Sequence, residues 1–173
     1  MKPRPIHLVL LALAAPMLIA ADSSSCGSSG DTGTKVTSSA TAAATQTAFK
    51  VGDQVKVGDL ILVVSGVTSS DGTQFEKSKA GQYLIVAVAL QNNGTKAATV
   101  SSAISFELRD DGGQTYNETI LSTAPKPPDG SIAPGDKLAG SLTYDVPKGK
   151  SFKLYFKNAI FGSGQTIIDL GSH

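Results

Sequence analysis

The side chains able to do covalent or soft-metal chemistry are few: one cysteine, Cys26, and two histidines, His7 and His173, in 173 residues. A serine or cysteine nucleophile needs a histidine base held by a third group, and a soft-metal site needs several His, Cys or Met ligands. His7 and both methionines, Met1 and Met17, fall near the start of the chain, so neither apparatus can be assembled from the rest. The sequence predicts no catalytic residue, no metal ligand set and no cofactor. Carboxylates are the remaining chemistry. Glu107, Asp110 and Asp111 in "FELRDDGG" would suit a hard cation. Asp before Gly is turn chemistry, however, and the segment reads as a hairpin turn that needs positive φ. Asp53, Asp59 and Asp136, each beside glycine in "VGDQ", "VGDL" and "PGDK", read the same way. "FGSGQT" has two glycines of a dinucleotide fingerprint but lacks the third and precedes a strand, so it reads as a loop.

The front of the chain sets where these residues act. Lys2 and Arg4 precede an apolar run over 6–21 that only His7 and Pro16 interrupt, which is the pattern of an export signal. A permanent membrane helix needs about 20 apolar residues, and Pro16 would break one. Loss of Lys2 and Arg4 with the signal takes two from 15 basic residues against 14 acidic ones, so the mature chain is near neutral. Without a basic patch interleaved with aromatics, nucleic acid is not an expected partner.

Cys26, in "SSSCGSSG", has two readings. A bacterial lipoprotein signal ends on a cysteine that receives diacylglycerol; here serines supply the small residues before it, and Ser23 stands where leucine is usual. Cleavage after Ala21 would instead leave a free thiol on a secreted tail, an odd arrangement in an oxidising compartment. Lipidation of Cys26, and a membrane anchor through it, is the expectation. The Ser/Thr/Ala/Gly tract that follows lacks periodicity and cannot bury enough surface to offset the entropy of ordering. The expected organisation is a signal over 1–21 (to 25 with lipoprotein cleavage), a tether over 22–48 and one domain over 49–173.

From Phe49 the pattern changes to short apolar runs alternating with period two, which predicts an all-β domain. A turn at Gly58 and Asp59 leads into a strand over 60–67, and residues 82–91 form a central strand that is apolar on both faces. Ile104, Phe106 and Leu108 alternate inward before the turn over 110–113. Leu138, Gly140, Leu142, Tyr144 and Val146 do the same, as do Phe152, Leu154 and Phe156. About seven to eight strands at this spacing predict an immunoglobulin-like antiparallel β-sandwich, with a small Greek-key barrel as the competing architecture.

Four blocks then carry a resemblance: "FKVGDQVKVGDLILVVSGV", "GQYLIVAVALQNNGTKAATVSS", "FELRDDGGQTY" and "IAPGDKLAGSLTYDVPKGKSFKLYF". Together, in order, they resemble the DUF4352 family of bacterial exported domains, similar in fold to the secreted antigen MPT63. The resemblance implies an immunoglobulin-like sandwich and a lipoprotein or secreted protein of bacterial surfaces; it implies no activity.

The expected function is a non-enzymatic, exported cell-surface module that binds a protein or envelope partner. A small-ligand or cation-binding lipoprotein is the alternative, and an enzyme working through carboxylates alone is a third. The candidate contact is the proline-rich stretch over 122–135, the longest without strand periodicity, which would present Lys126, Pro127, Pro128 and Asp129 from a stiff support; it reads equally as a crossover between the two sheets that proline stiffens for stability alone. Tyr155, outward between Lys153 and Lys157, is a weaker contact candidate and reads first as a strand former.

Overall fold

A computed structural model describes residues 47–157 and 165–173. Cys26, the signal, all but the end of the tether and most of "FGSGQT" lie outside the described residues. The alternating runs form strands where one set of side chains can reach a common core. In chain order these are β1 (Phe49–Lys50), β2 (Gln54–Val57), β3 (Leu60–Ser70), β4 (Gln82–Asn92) and β5 (Ala98–Val100), then a helical turn α1 (Ser102–Ser105). After it come β6 (Phe106–Asp110), β7 (Thr115–Tyr116), β8 (Gly130–Ile132), β9 (Lys137–Val146), β10 (Ser151–Lys157) and β11 (Gln165–Ser172). Gly58, at φ +62°, lets two residues close the β2–β3 hairpin.

Two sheets form the layers, ordered β1-β11-β10-β6-β7 and β2-β3-β4-β9, and β5 with β8 makes a separate pair. Both sheets are open, so the architecture is the sandwich and not the barrel. Leu62, Val86 and Leu142 of one sheet meet Leu108, Leu154 and Ile168 of the other in a single core. Cross-strand partners Phe106 and Phe156 pack with ring centroids 4.9 Å apart and planes tilted by 45°, and Tyr116 meets Phe152 edge-on at 5.8 Å. Eleven strands are present among the described residues; β3, β4, β6, β9 and β10 correspond to the five alternating runs, and β11 to the strand expected after "FGSGQT".

Four details differ from the expectation. The strand expected to end at Val67 runs on to Ser70, because the register shift between Val64 and Gly66 returns Val67 to the core side, opposite Val86. One pairing is parallel: Phe49 lies opposite Ile168 and Lys50 opposite Asp169. Ile104 does not point inward; it sits in α1 and is 70% exposed. There the N–H of Ser105 donates to the Ser101 carbonyl at 2.8 Å, and the Asp129 carboxylate accepts the Ser102 N–H at 2.6 Å, so the backbone turns where an alternating strand was expected. The fourth difference lies in the proline-rich stretch, where β8 pairs with β5, Ala98 opposite Ile132, and divides the expected loop.

Candidate functional site

The site is built on the free edge of β9. An edge strand exposes unpaired N–H and C=O groups, and here residues 118–127 cover them. Glu118 bridges to Tyr144, the Thr119 N–H donates to the Thr143 carbonyl at 2.8 Å, and the Ser141 N–H donates to the Lys126 carbonyl at 3.0 Å. Gly140 permits this approach. A Cβ there would lie 2.5 Å from the Lys126 carbonyl oxygen and 2.6 Å from the Pro128 nitrogen.

Between its two attachment points the segment bows outward. Leu121 turns in and is buried, and the Ala124 N–H donates to the Leu121 carbonyl at 3.0 Å. A second loop meets it there: Glu76 accepts the Ser122 N–H at 3.0 Å and also the Ser122 hydroxyl. These two hydrogen bonds hold the Glu76 carboxyl below its ordinary range. The loop carrying Glu76 is fixed in turn by Asp145, which accepts the Ser78 hydroxyl at 2.5 Å, the Lys79 N–H at 2.9 Å and the Ala80 N–H at 3.1 Å.

The bow encloses a groove of about 340 Å³, walled by Ile120, Leu121, Pro125 and Pro127 over Ser141 and Thr143. Ser141 pairs with Ala87 and Thr143 with Ile85 on the sheet face turned away from the core, yet both are buried because the bow lies over them. Ile120 stands at the lip, 86% exposed. The lining offers hydroxyls and apolar surface, which suits recognition of a partly apolar group.

The expected contact residues divide between two tasks. Lys126 and Pro127 line the groove. Pro128 is buried, and Asp129 turns to the Ser102 N–H. Ile120, Leu121, Ser141, Thr143 and Glu76 escape the sequence reading. The one signal for them was the apolar pair in "NETILST", which stands outside any strand pattern.

On the opposite sheet, Glu107 accepts hydrogen bonds from Arg109 and Lys157, and these lower its carboxyl to about 2. The Arg109 guanidinium lies 4.6 Å from the centre of the Tyr155 ring, so Tyr155 is stacked beneath a cation. Asp110 behaves as turn chemistry requires. It accepts the Gln114 N–H at 2.8 Å and the Tyr116 hydroxyl at 3.0 Å, and its carboxyl is lowered, chiefly by the Gln114 bond. Beside them a polar hollow of about 190 Å³ is lined by Glu107, Thr115, Tyr116 and Glu118. Burial pushes the Glu118 carboxyl and the Tyr144 phenol up, and the Tyr144 hydroxyl has no hydrogen-bond partner among the described residues. Among the described residues no three His, Cys, Asp or Glu side chains converge as a metal site would require.

Residues 49–167 match the family described as a domain of unknown function, DUF4352. The chain belongs to the DUF4352 family. Solved structures show the same fold for this DUF4352 domain. A candidate lipoprotein of Bacillus subtilis, ycdA, aligns at 20% identity and TM-score 0.59, covering 69% of this chain and 38% of that one, so the likeness spans well under half of that relative's length. The secreted protein MPT63 of Mycobacterium tuberculosis aligns at 18% identity and TM-score 0.51, covering 73% of this chain and 99% of that one. A β-sandwich protein of Clostridium difficile aligns at 12% identity and TM-score 0.50, covering 72% and 95%. No curated protein matches the chain.

Proposed function

We propose that this DUF4352 chain is an exported module, anchored to the membrane by lipid at Cys26, that binds a protein or envelope partner and carries out no reaction itself. The observation that carries the reading is the groove over Ser141 and Thr143. Residues 119–127 are fixed to β9 and to the loop bearing Glu76 at several points, and the concave surface they build with β9 is apolar with a hydroxyl floor. A surface held rigid before binding loses little entropy when a partner arrives. The signal pattern and "SSSCGSSG" support export and the anchor, as do the names of two relatives in fold, a candidate lipoprotein and a secreted protein.

The groove volume of about 340 Å³ also supports a second reading, a small-ligand lipoprotein, since small-molecule sites begin near this size. Photo-crosslinking separates the two. A photoreactive residue at Ala124, on the groove, should form a macromolecular adduct in the bacterial envelope that Ile120→Asp abolishes, whereas one at Tyr155 on the opposite sheet should not. Equal adducts from both positions would sink the binding-face assignment, and no macromolecular adduct from either would leave the small-ligand reading.

A further inference from the structure

Two large apolar side chains stand almost free of the fold: Phe75 is 87% exposed and Ile120 is 86% exposed. They belong to separate loops, and the paired hydrogen bonds from Ser122 to Glu76 join those loops one and two residues away. Lys77 and Lys79 follow Phe75, and Lys126 lines the same groove as Ile120. All three lysines are exposed, and none forms an ion pair among the described residues. Two carboxylates lie nearby and are engaged by hydrogen bonds: Glu76 accepts from Ser122, and Asp145 accepts from Ser78, Lys79 and Ala80, which leaves the three lysines in excess over them. Lys148 and Asp71 neutralise each other at 2.6 Å. The outward presentation is two apolar prongs among three unpaired ammonium groups.

We propose that this tip docks on an anionic lipid surface, with Phe75 and Ile120 entering the boundary between headgroups and acyl chains while Lys77, Lys79 and Lys126 meet the phosphates. Protruding prongs are matched by a soft phase into which they can sink, and the lysines supply the attraction that apolar insertion alone lacks. A second copy of the chain is disfavoured as the occupant because it would bring the same lysines against these. The surface shares Ile120 and Lys126 with the rim of the groove and adds the loop bearing Phe75, so it goes beyond the binding-module reading, and its test reads position 75, which lies outside the groove lining.

The chain has no tryptophan, so Phe75→Trp places a single reporter at the tip. The full chain carrying Phe75→Trp and Cys26→Ala would be mixed with vesicles of phosphatidylcholine and phosphatidylglycerol in equal parts, and separately with phosphatidylcholine alone. The expected result is a blue shift of the tryptophan emission, with quenching by brominated acyl chains, in the anionic vesicles only. Adding Lys77→Gln should weaken that response roughly fivefold, since each lysine near an anionic surface contributes about that factor. An N-terminal segment that binds the vesicle by itself leaves the introduced indole in water, so bound chain with an unshifted spectrum overturns the proposal. Equal shifts in neutral vesicles overturn it too, as does a blue shift that grows with protein concentration without lipid. Loss of the lipid anchor in native cells on Cys26→Ala, or its absence, changes none of these readings.

Discussion

Glu76 and Ser122 join two loops that are 46 residues apart, through a backbone N–H at 3.0 Å and a hydroxyl that both donate to one carboxylate oxygen. The pair sets the position of Ile120 and Leu121, hence the shape of the groove. Ser122→Ala keeps the backbone bond and removes the hydroxyl, so residues 120–126 should exchange amide protons faster while the melting temperature of the domain barely moves. Because the Glu76 carboxyl is lowered, its tie is complete above the ordinary value of 4.5 and weakens as pH falls through the folded value. Amide exchange at Ser122 across that acid range checks both points.

Glu107 should titrate far from an ordinary glutamate. Its carboxyl, lowered to about 2 by Arg109 and Lys157, gives stability that is fully present above 4.5 and lost as pH drops toward 2. The partner side chains are 36% and 46% exposed, and solvent screening holds the effect to about 1 kcal/mol. Carboxyl NMR titration should place the midpoint near 2 and move it upward in Lys157→Met. An ordinary midpoint in the unmodified chain would contradict the cluster.

Gly140→Ala should destabilise the domain by about 1–3 kcal/mol, since the new Cβ meets backbone atoms of Lys126, Pro127 and Pro128 that cannot rotate away. Gly66→Ala is the comparison: nothing lies within 4 Å of a Cβ there, and its stability should stay close to that of the unmodified chain. Urea unfolding of the two variants measures the difference. A Gly/Ser replacement of residues 126–129 should lower the melting temperature as well as alter the groove, because it removes the buried Pro128 and the Asp129 carboxylate that accepts the Ser102 N–H.

How far the sequence could be read depended on whether a residue's neighbours were local. In β4, β9 and β10 the alternation of Val86 and Val88, of Leu142 and Tyr144, and of Phe152 and Leu154 reports directly which side meets the core. Ile104 misled because it keeps the spacing of Phe106 and Leu108 while the chain beneath it turns, and the carboxylate that favours the turn, Asp129, comes from a distant segment. β8 has one apolar residue, Ile132, in three, too few to show a period. Ser141 and Thr143 alternate as a solvent face should; only the bow over 119–127, a separate stretch of chain, makes them the floor of a groove. The proline-rich segment was legible as a special place, but the division of its residues between support and surface was not.

Recognition is proposed at the face built by residues 119–127 on β9. Amide hydrogen exchange of the full chain, measured with and without extract of the native bacterial envelope, tests it most directly. Exchange should slow over residues 120–126 and around Phe75, with Lys153 and Tyr155 on the opposite sheet unchanged. Protection confined to the opposite sheet, or none over residues 120–126, would contradict it.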